Sequence, residues 1–287
     1  EQHRIVARIE ELFSSLDQGV EALKTAQQQL KVYRQAVLKW AFEGRLTHPD
    51  LEEGVLPEGW VEVEIGKFIE VIQAGKSFIL KVSAVSWGTY NENESKTVLD
   101  TKFVNKNYIV KKGDFLISRA NTLELVGASV IAENASGRVM LSDKTLRILF
   151  NQDVNPKYAL YFLRSQKGRK QIQEYSTGNQ ESMRNIGQVG IKSIKITLPL
   201  LRIEQDQIVQ EIESRLSVCD KIEEDIVQSL ERAEALRQSI LKQAFEGRLV
   251  EQDPDDEPAS ALLERIATAR QSKQKALKPR KSKRSEP

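Results

Sequence analysis

One segment of about 46 residues occurs twice in this chain of 287 residues. The stretch YRQAVLKWAFEGRLT at 33–47 returns as LRQSILKQAFEGRLV at 236–250, and the copies align without a gap from Glu1 and Glu204 onward. Self-similarity over such a length marks a duplicated structural unit. The sequence therefore predicts two elements of one kind, with residues of a different character between them.

Each copy has the pattern of a long helix. Apolar residues recur at the alternating spacing of four and three that is typical of a coiled coil. Gly44 and Gly247 follow the two apolar runs, where a glycine can end a helix in a left-handed conformation. We therefore expect two helices of about 40 residues, each about 60 Å long at 1.5 Å per residue. Small residues on the apolar stripe, Gly19 and Cys219, are expected to be core positions.

The apolar stripe of such a helix needs a partner, and the other copy is the obvious one. The intervening segment leaves the end of the first helix and enters the start of the second. These two ends can meet only if the helices run antiparallel. The predicted domains are a first helix at 1–46, a head at 47–203, a second helix at 204–250 and a C-terminal extension at 251–287.

The head changes character to short β-branched and aromatic runs broken by Gly, Asn and Ser, which predicts strands. Those runs include WVEVEIGKFIEVI, DFLISRA, GASVIAE, RVMLS, KTLRILF and IKSIKITLPL. The stretch NPKYALYFLRSQKGRKQIQEYS reads as one helix, with Asn155 as N-cap and Pro156 at its first position. Residues 73–78, 119–125 and 176–185 are predicted to be loops. The expected fold is an α/β domain with a twisted mixed β-sheet, carried on an antiparallel two-helix coiled-coil stalk.

Charge is unevenly distributed along the chain. Residues 47–203 carry 21 Lys and Arg against 17 Asp and Glu, whereas residues 204–250 carry 6 against 11. Residues 270–284 add eight basic side chains and no acidic one, which favours a mobile tail able to contact phosphates, although a plain solvated end explains it equally well. The single cysteine excludes an internal disulfide. With no long apolar run, we expect a cytoplasmic protein with no membrane contact.

Motifs for catalysis are incomplete. Gly75-Lys76-Ser77 resembles the end of a phosphate-binding loop, but Glu70 stands where that motif needs a glycine. Asn155 is better explained as a helix start than as part of a methyltransferase motif. Asp50 and Glu94 could belong to a metal-dependent nuclease, a match that arises easily in so charged a chain. With two histidines, neither a catalytic triad nor a His-ligated metal site is indicated.

The chain resembles the specificity subunits of type I restriction-modification systems. The resemblance covers nearly the whole chain and rests on the doubled AFEGRL, the junction IKITLPLLRIEQDQIV, the entry LPEGWVEVEIG, and the stretches GDFLISRANTLELVG and DPDDEPASALLERI. It implies a non-catalytic subunit whose target-recognition domain reads one half of a split site in double-stranded DNA.

The same resemblance implies that methyltransferase subunits and an endonuclease or translocase subunit are recruited, with AdoMet, ATP and Mg held on those partners and no cofactor on this chain. The chain corresponds to the C-terminal half of such a subunit or to a half-length form that dimerises, and the sequence leaves both open. A different class of protein, a coiled-coil adaptor whose head binds protein, is the alternative.

Side chains that read bases are Arg or Lys for guanine, Asn or Gln for adenine, and Ser or Thr for either. Loops of the head supply the candidates: Lys76, Ser77, Arg119, Asn121, Lys144, Thr145, Asn179, Gln180, Ser182, Arg184 and Asn185. A structural ion pair is an equal alternative for Arg119. In the doubled AFEGRL, we expect Phe42, Arg45, Phe245 and Arg248 to anchor the methyltransferase or the root of a head, or else only to end the helices.

Overall fold

The computed structural model describes residues 1–75, 79–85, 88–97, 102, 104–180 and 182–276. The chain forms two compact units, one of Gln27–Glu224 and one of Glu1–Ala26 with Asp225–Pro287. The division falls inside both long helices, α1 (Gln2–Phe42) and α5 (Arg202–Phe245). The domain boundaries predicted at residues 46 and 204 lie instead near the end of α1 and the start of α5. They stay predictions.

The unit Gln27–Glu224 holds nine strands among its described residues. They are β1 (Trp60–Glu64), β2 (Ile69–Ala74), β3 (Phe115–Ser118), β4 (Ala120–Asn121), β5 (Ser129–Ile131), β6 (Thr145–Phe150), β7 (Ser176–Gln180), β8 (Met183–Ile186) and β9 (Lys195–Pro199). They form three sheets, in the orders β1-β9, β2-β6-β3-β5 and β4-β8-β7. Every pairing is antiparallel, so the expected single mixed sheet is replaced by three smaller antiparallel ones.

Three shorter helices complete this unit: α2 (Pro156–Arg164), α3 (Gln166–Tyr175) and α4 (Gln188–Lys192). Asn155 caps α2 as expected, because its side-chain oxygen accepts from the backbone N–H of Lys157 at 2.8 Å. The single helix predicted from Asn155 onward is wrong, since Ser165 interrupts it with extended backbone and caps α3 through its hydroxyl. Gly168 permits the break, because a Cβ there would lie 2.1 Å from the carbonyl oxygen of Phe162.

A large apolar core joins the end of α1 and the start of α5 to the helices and sheets of the head. It includes Val37 and Phe42 from α1 and Ile208 and Ile212 from α5, all buried. Earlier in α1, Arg34 forms ion pairs with Asp220 and Glu223, farther along α5. The two helices therefore run antiparallel in this unit, as the sequence predicts.

The unit of Glu1–Ala26 and Asp225–Pro287 also pairs the two long helices antiparallel. Arg4 lies 3.4 Å from Asp253, beyond the end of α5, while Asp17 pairs with Arg237 inside it. The Arg237 guanidinium also lies 4.7 Å from the centre of the Phe13 ring, in a cation–π contact. A sixth helix, α6 (Ala259–Ala276), belongs to this unit, so the tail predicted to be mobile from residue 270 is helical to Ala276. Residues 277–287 lie outside the described residues.

The helix ends agree with the sequence, because Gly44 and Gly247 have φ of +81° and +67° and both long helices stop just before them. Several local predictions are wrong. The run RVMLS makes only an isolated bridge, between Met140 and Ile109. On the predicted apolar stripe Cys219 is buried, but Gly19 is exposed, and a Cβ on it would have no atom within 4 Å.

Candidate nucleic-acid interface

Two segments predicted as separate loops meet in the three-stranded sheet. Strand β4 pairs with β8, so that Ala120 lies opposite Asn185 and Asn121 opposite Arg184. Strand β8 also pairs with β7, where Thr177 lies opposite Asn185. The segment at 176–185 is thus a β-hairpin, and the loop prediction for it is wrong. The sheet brings the candidates of SRANT beside those of TGNQESMRN, although about 60 residues separate them in the chain.

Two hydrogen bonds hold the backbone of Arg119, whereas its side chain has no partner among the described residues. Its N–H donates to the carbonyl of Lys144 at 2.9 Å, and its carbonyl accepts from the N–H of Ile186 at 2.8 Å. The half-buried guanidinium makes no hydrogen bond or ion pair with any residue that the structure describes. The alternative of a structural ion pair therefore has no support within the described chain, and five donors remain for a ligand.

The two asparagines of the sheet lie on opposite faces. Asn121 shares a face with Arg184, because directly opposed residues point the same way, and Asn185 is the next residue along β8. The Asn121 side-chain oxygen accepts from the N–H of Thr122 at 2.9 Å, which leaves its amide group to donate. The two carboxamides therefore face opposite sides of the sheet.

Arg184 is engaged within the hairpin. Its guanidinium donates to the carbonyls of Ser176 and Gly178 at 2.8 and 2.7 Å, and its Nε donates to the Ser176 hydroxyl at 3.2 Å. Gly178 is required there, since it has φ of +131° and a Cβ would lie 2.5 Å from the Met183 carbonyl oxygen. The side chain of Arg184 thus shapes the hairpin, and the structure does not support it as a free base reader.

The remaining candidates divide by exposure. Gln180 and Ser182 are exposed at the tip of the hairpin, and Lys144 is half-buried beside Arg119. Thr145 is fully buried and accepts from the Ser142 hydroxyl at 3.3 Å, so it cannot present its hydroxyl to a base in this conformation. Three candidates cannot be placed: Lys76 and Ser77 lie outside the described residues, as does the side chain of Asn179.

Arg169 is a functional candidate that the sequence pattern did not predict. This residue of α3 donates to the carbonyls of Val126 and Glu124 at 2.7 and 2.8 Å and to that of Leu123 at 3.3 Å. Burial lowers its pKa to about 10, which still leaves it charged at neutral pH. In the sequence it is one basic residue of a polar stretch, indistinguishable from Lys170 beside it, so only the tertiary structure identifies it.

The two copies of AFEGRL have different surroundings. Phe42 is 4% exposed and packs edge-on against the rings of Tyr158 and Phe162, each with centroids 5.2 Å away. Phe245 is 90% exposed. Phe42 therefore lies at the root of the head. Of the arginines that follow, Arg45 is half-buried and Arg248 is exposed and pairs with Glu246 at 3.4 Å.

Glu94, one of the two acidic residues that could suggest a nuclease, is held by neighbouring side chains. The Glu94 carboxylate accepts from Lys81 and from the Ser83 hydroxyl at 3.2 and 2.8 Å. Within the described ranges, no group of three His, Cys, Asp or Glu side chains is placed to hold a metal ion. Nor is any helix in that part of the chain long and apolar enough to cross a membrane. Burial raises the pKa of the Cys219 thiol, which disfavours the reactive thiolate.

The polar residues around Arg119 therefore lie on a small antiparallel sheet within the unit Gln27–Glu224. A family model described as the type I restriction modification DNA specificity domain matches residues 57–232. Because the match covers more than half of the chain, the chain belongs to this family.

Known specificity subunits are similar to the chain. It is 32% identical over 182 residues to the type I restriction enzyme EcoEI specificity subunit of Escherichia coli, a match to 58% of this chain and 30% of that protein. It is 28% identical over 290 residues to the EcoKI specificity subunit of Escherichia coli strain K12, a match to 94% of this chain and 62% of that protein. The chain thus spans less than two thirds of these relatives.

Solved structures share the fold. A chain from a study of complex assembly and conformational transition of the type I R-M system superposes with a TM-score of 0.65 at 20% identity, over 86% of this chain and 60% of that one. The HsdS subunit from Thermoanaerobacter tengcongensis gives a TM-score of 0.53 at 19% identity, over 86% and 58%. The predicted fold class, a recognition domain on a two-helix stalk, is confirmed.

Proposed function

We propose that this chain is a DNA-recognition and scaffolding subunit whose head reads one half of a split site in double-stranded DNA. The observation that carries the proposal is the Arg119 guanidinium, which has no partner among the described residues and lies at the edge of the three-stranded sheet, beside Lys144 and Asn121. Arginine and lysine recognise guanine, and asparagine recognises adenine, through the donors and acceptors of the major groove.

The backbone supports this function by holding the candidate side chains in place. Hydrogen bonds on both sides of Arg119, to Lys144 and Ile186, fix the peptide that carries it. A reader on a rigid strand loses little conformational freedom on binding, and a fixed position discriminates between bases better than a mobile one. The exposed hairpin tip, with Gln180 and Ser182, offers further polar groups to bases or phosphates.

Reading a split site needs a second head, and the helix repeat supports one. In the second copy, Val209 is 5% exposed against this head, whereas its counterpart Val6 in the first copy is 52% exposed. Ile208 is fully buried, while its counterpart Ile5 is half-exposed. The unit that holds Val6 thus presents residues of the kind that seat a head, but uncovered.

Phe245 is a further residue that a second head could cover. Its counterpart Phe42 packs between two aromatic rings of the head, yet Phe245 is 90% exposed in an identical AFEGRL segment. We propose that a second recognition head, supplied by a second copy of this chain, covers Phe245 and Val6. Two heads on one symmetric stalk would then meet two DNA segments at a set separation.

The catalytic work belongs to partners in this proposal. The stalk recruits methyltransferase subunits and an endonuclease or translocase subunit, and those partners hold AdoMet, ATP and Mg. In this proposal the chain supplies recognition and contributes no catalytic group. The eight basic residues of 270–284 add sequence-independent attraction to phosphates.

The test of DNA reading uses the chain purified with its methyltransferase partner and a pool of random duplexes of about 40 base pairs, longer than two half-sites one or two helical turns apart. We expect one short motif, or a split inverted repeat, to be enriched and methylated. Arg119→Ala should then cost about 1–3 kcal/mol on that motif and relax the preference at one base. Arg138→Ala removes an exposed arginine of the segment between β5 and β6, and as the control it should leave the motif unchanged.

Each other outcome has a definite meaning. Equal weakening of Arg119→Ala on all sequences would make Arg119 a phosphate contact. Failure of the wild-type complex to enrich any motif at low salt would refute DNA reading and favour a coiled-coil adaptor whose head binds protein.

The second head is tested by the mass of the chain in sedimentation equilibrium. We expect a dimer that Phe245→Asp and Val6→Asp dissociate. Val32→Asp is the control, because Val32 is 71% exposed but lies in the unit that already carries a head, whereas Val6 and Phe245 lie in the other unit. A wild-type chain that stays monomeric at tens of micromolar would contradict the self-dimer.

A further inference from the structure

A side chain of α3 holds the segment 122–127, which follows β4, in place. Three carbonyls of this turn, those of Leu123, Glu124 and Val126, point to the one guanidinium of Arg169, at 3.3, 2.8 and 2.7 Å. The turn also closes on itself, since the N–H of Val126 donates to the carbonyl of Thr122 at 2.8 Å. One side chain therefore sets the position of the whole turn.

A second contact between the same elements limits how far the turn can move. Gly127 has φ of +73°, and a Cβ on it would lie 2.5 Å from the Ile172 side chain, about one helical turn beyond Arg169. The N–H of Gly127 donates to the carbonyl of Ser118 at 2.7 Å, across the base of the segment. The segment 119–127 thus begins and ends at fixed points and is held to α3 between them.

We propose that Arg169 is a positioning residue for DNA recognition, which sets sequence preference by holding the turn at 122–127 and thereby Arg119 and Asn121. The inference rests on the proposed function, because it matters only if those two side chains read bases. Arg169 acts through the protein backbone and does not itself touch DNA. Its role therefore differs from that of a phosphate-binding arginine on the surface.

The chemistry of the guanidinium explains why an arginine is needed. Its planar fork directs several N–H groups at fixed angles, so one side chain can hold three carbonyls at once. A lysine keeps the charge but offers a single nitrogen on a flexible stem, and it cannot satisfy the same three carbonyls in the same plane. The charge-conserving substitution Arg169→Lys therefore separates positioning from electrostatics.

The experiment compares wild type, Arg169→Lys and the control Lys170→Gln, each purified with the methyltransferase partner. Lys170 is the neighbouring residue on α3, is exposed, and has an ion pair with Glu174 within the helix, so the control removes a cation without disturbing the turn. Dissociation constants are measured for the duplex enriched by the wild type and for a scrambled duplex, at several salt concentrations and well below each melting temperature.

We expect Arg169→Lys to lower the ratio of specific to non-specific affinity by about 10-fold or more, with non-specific affinity and salt dependence kept within about twofold. Lys170→Gln should keep the ratio. Equal losses on both duplexes, or an unchanged ratio in Arg169→Lys, would overturn the inference. If the wild type enriches no duplex at all, the proposed function fails first, so the two failures are distinguishable.

Amide hydrogen exchange gives a readout that loss of global stability would not reproduce. In Arg169→Lys the amides of Leu125 and Val126 should exchange about 10-fold faster or more, while those of β6 keep their wild-type rates. Unchanged exchange in the turn would show that Arg169 does not hold it and would overturn the inference by a second route.

Discussion

The two phenylalanines of the repeated AFEGRL segment provide a matched test of what holds the head to its helices. Phe42 is 4% exposed and Phe245 is 90% exposed, although the two segments that contain them are identical. Truncating a buried phenylalanine to alanine costs about 3–5 kcal/mol, because apolar burial is lost and a cavity remains. Phe42 also makes two edge-to-face contacts, each worth about 0.5–1.5 kcal/mol beyond burial. We therefore expect Phe42→Ala to cost about 4–5 kcal/mol.

Urea unfolding followed by tryptophan fluorescence measures this cost, because Trp40 and Trp60 lie in the unit Gln27–Glu224 and report on it. With a slope of about 3 kcal/mol per molar urea, the midpoint should fall by about 1.5 M. At a protein concentration at which the chain is monomeric, Phe245→Ala should change the free energy of unfolding of this unit by less than about 0.5 kcal/mol, because Phe245 is 90% exposed in the single chain. A cost under about 1 kcal/mol for Phe42→Ala, the mean for an arbitrary substitution, or equal costs for the two variants in the monomer, would contradict this role of Phe42.

Three further predictions concern polar contacts of the head. Asp114→Ala should cost about 3–5 kcal/mol in thermal or urea unfolding, because it leaves the buried Arg147, 2.8 Å away, without its carboxylate; a loss no larger than that of a surface pair would contradict this. Asn155→Ala should cost about 1–2 kcal/mol through loss of the α2 cap, whereas Asn155→Ser should recover most of it. The hydrogen bond from Lys167 holds the pKa of Glu62 below its ordinary value. The contribution of ionised Glu62 to folding stability is therefore complete above its unfolded pKa of about 4.3 and is lost as the pH falls through its lower folded pKa. Glu62→Gln should therefore flatten the fall in stability between about pH 5 and pH 3, and an unchanged pH profile would argue against the pairing.

The candidate interface shows where local sequence stops being informative. The pairing of β4 with β8 joins residues about 60 positions apart, and no spacing rule in one sequence predicts such a register. Polar composition placed Arg119 and Asn121 first among the candidates, but it also included Arg184 and, last, Thr145. The structure separates them, because the Arg184 guanidinium is bound to its own hairpin and Thr145 is buried.

The sequence by itself determined the features that depend on local conformation and repetition. Two long helices follow from the apolar spacing within each copy, their ends follow from Gly44 and Gly247, and the start of α2 follows from Asn155 and its proline. Each of these is set by residues within a few turns of one another, so the local sequence contains all the residues that decide it.

Only the tertiary structure decided which side chains are exposed, which are buried and which hold a neighbouring segment of backbone. Arg169 holds a turn more than 40 residues earlier in the chain, and identical AFEGRL segments place one phenylalanine inside the core and the other at the surface. Burial and hydrogen bonding depend on what lies nearby in space. Identical local sequences therefore acquire different roles when different neighbours pack against them.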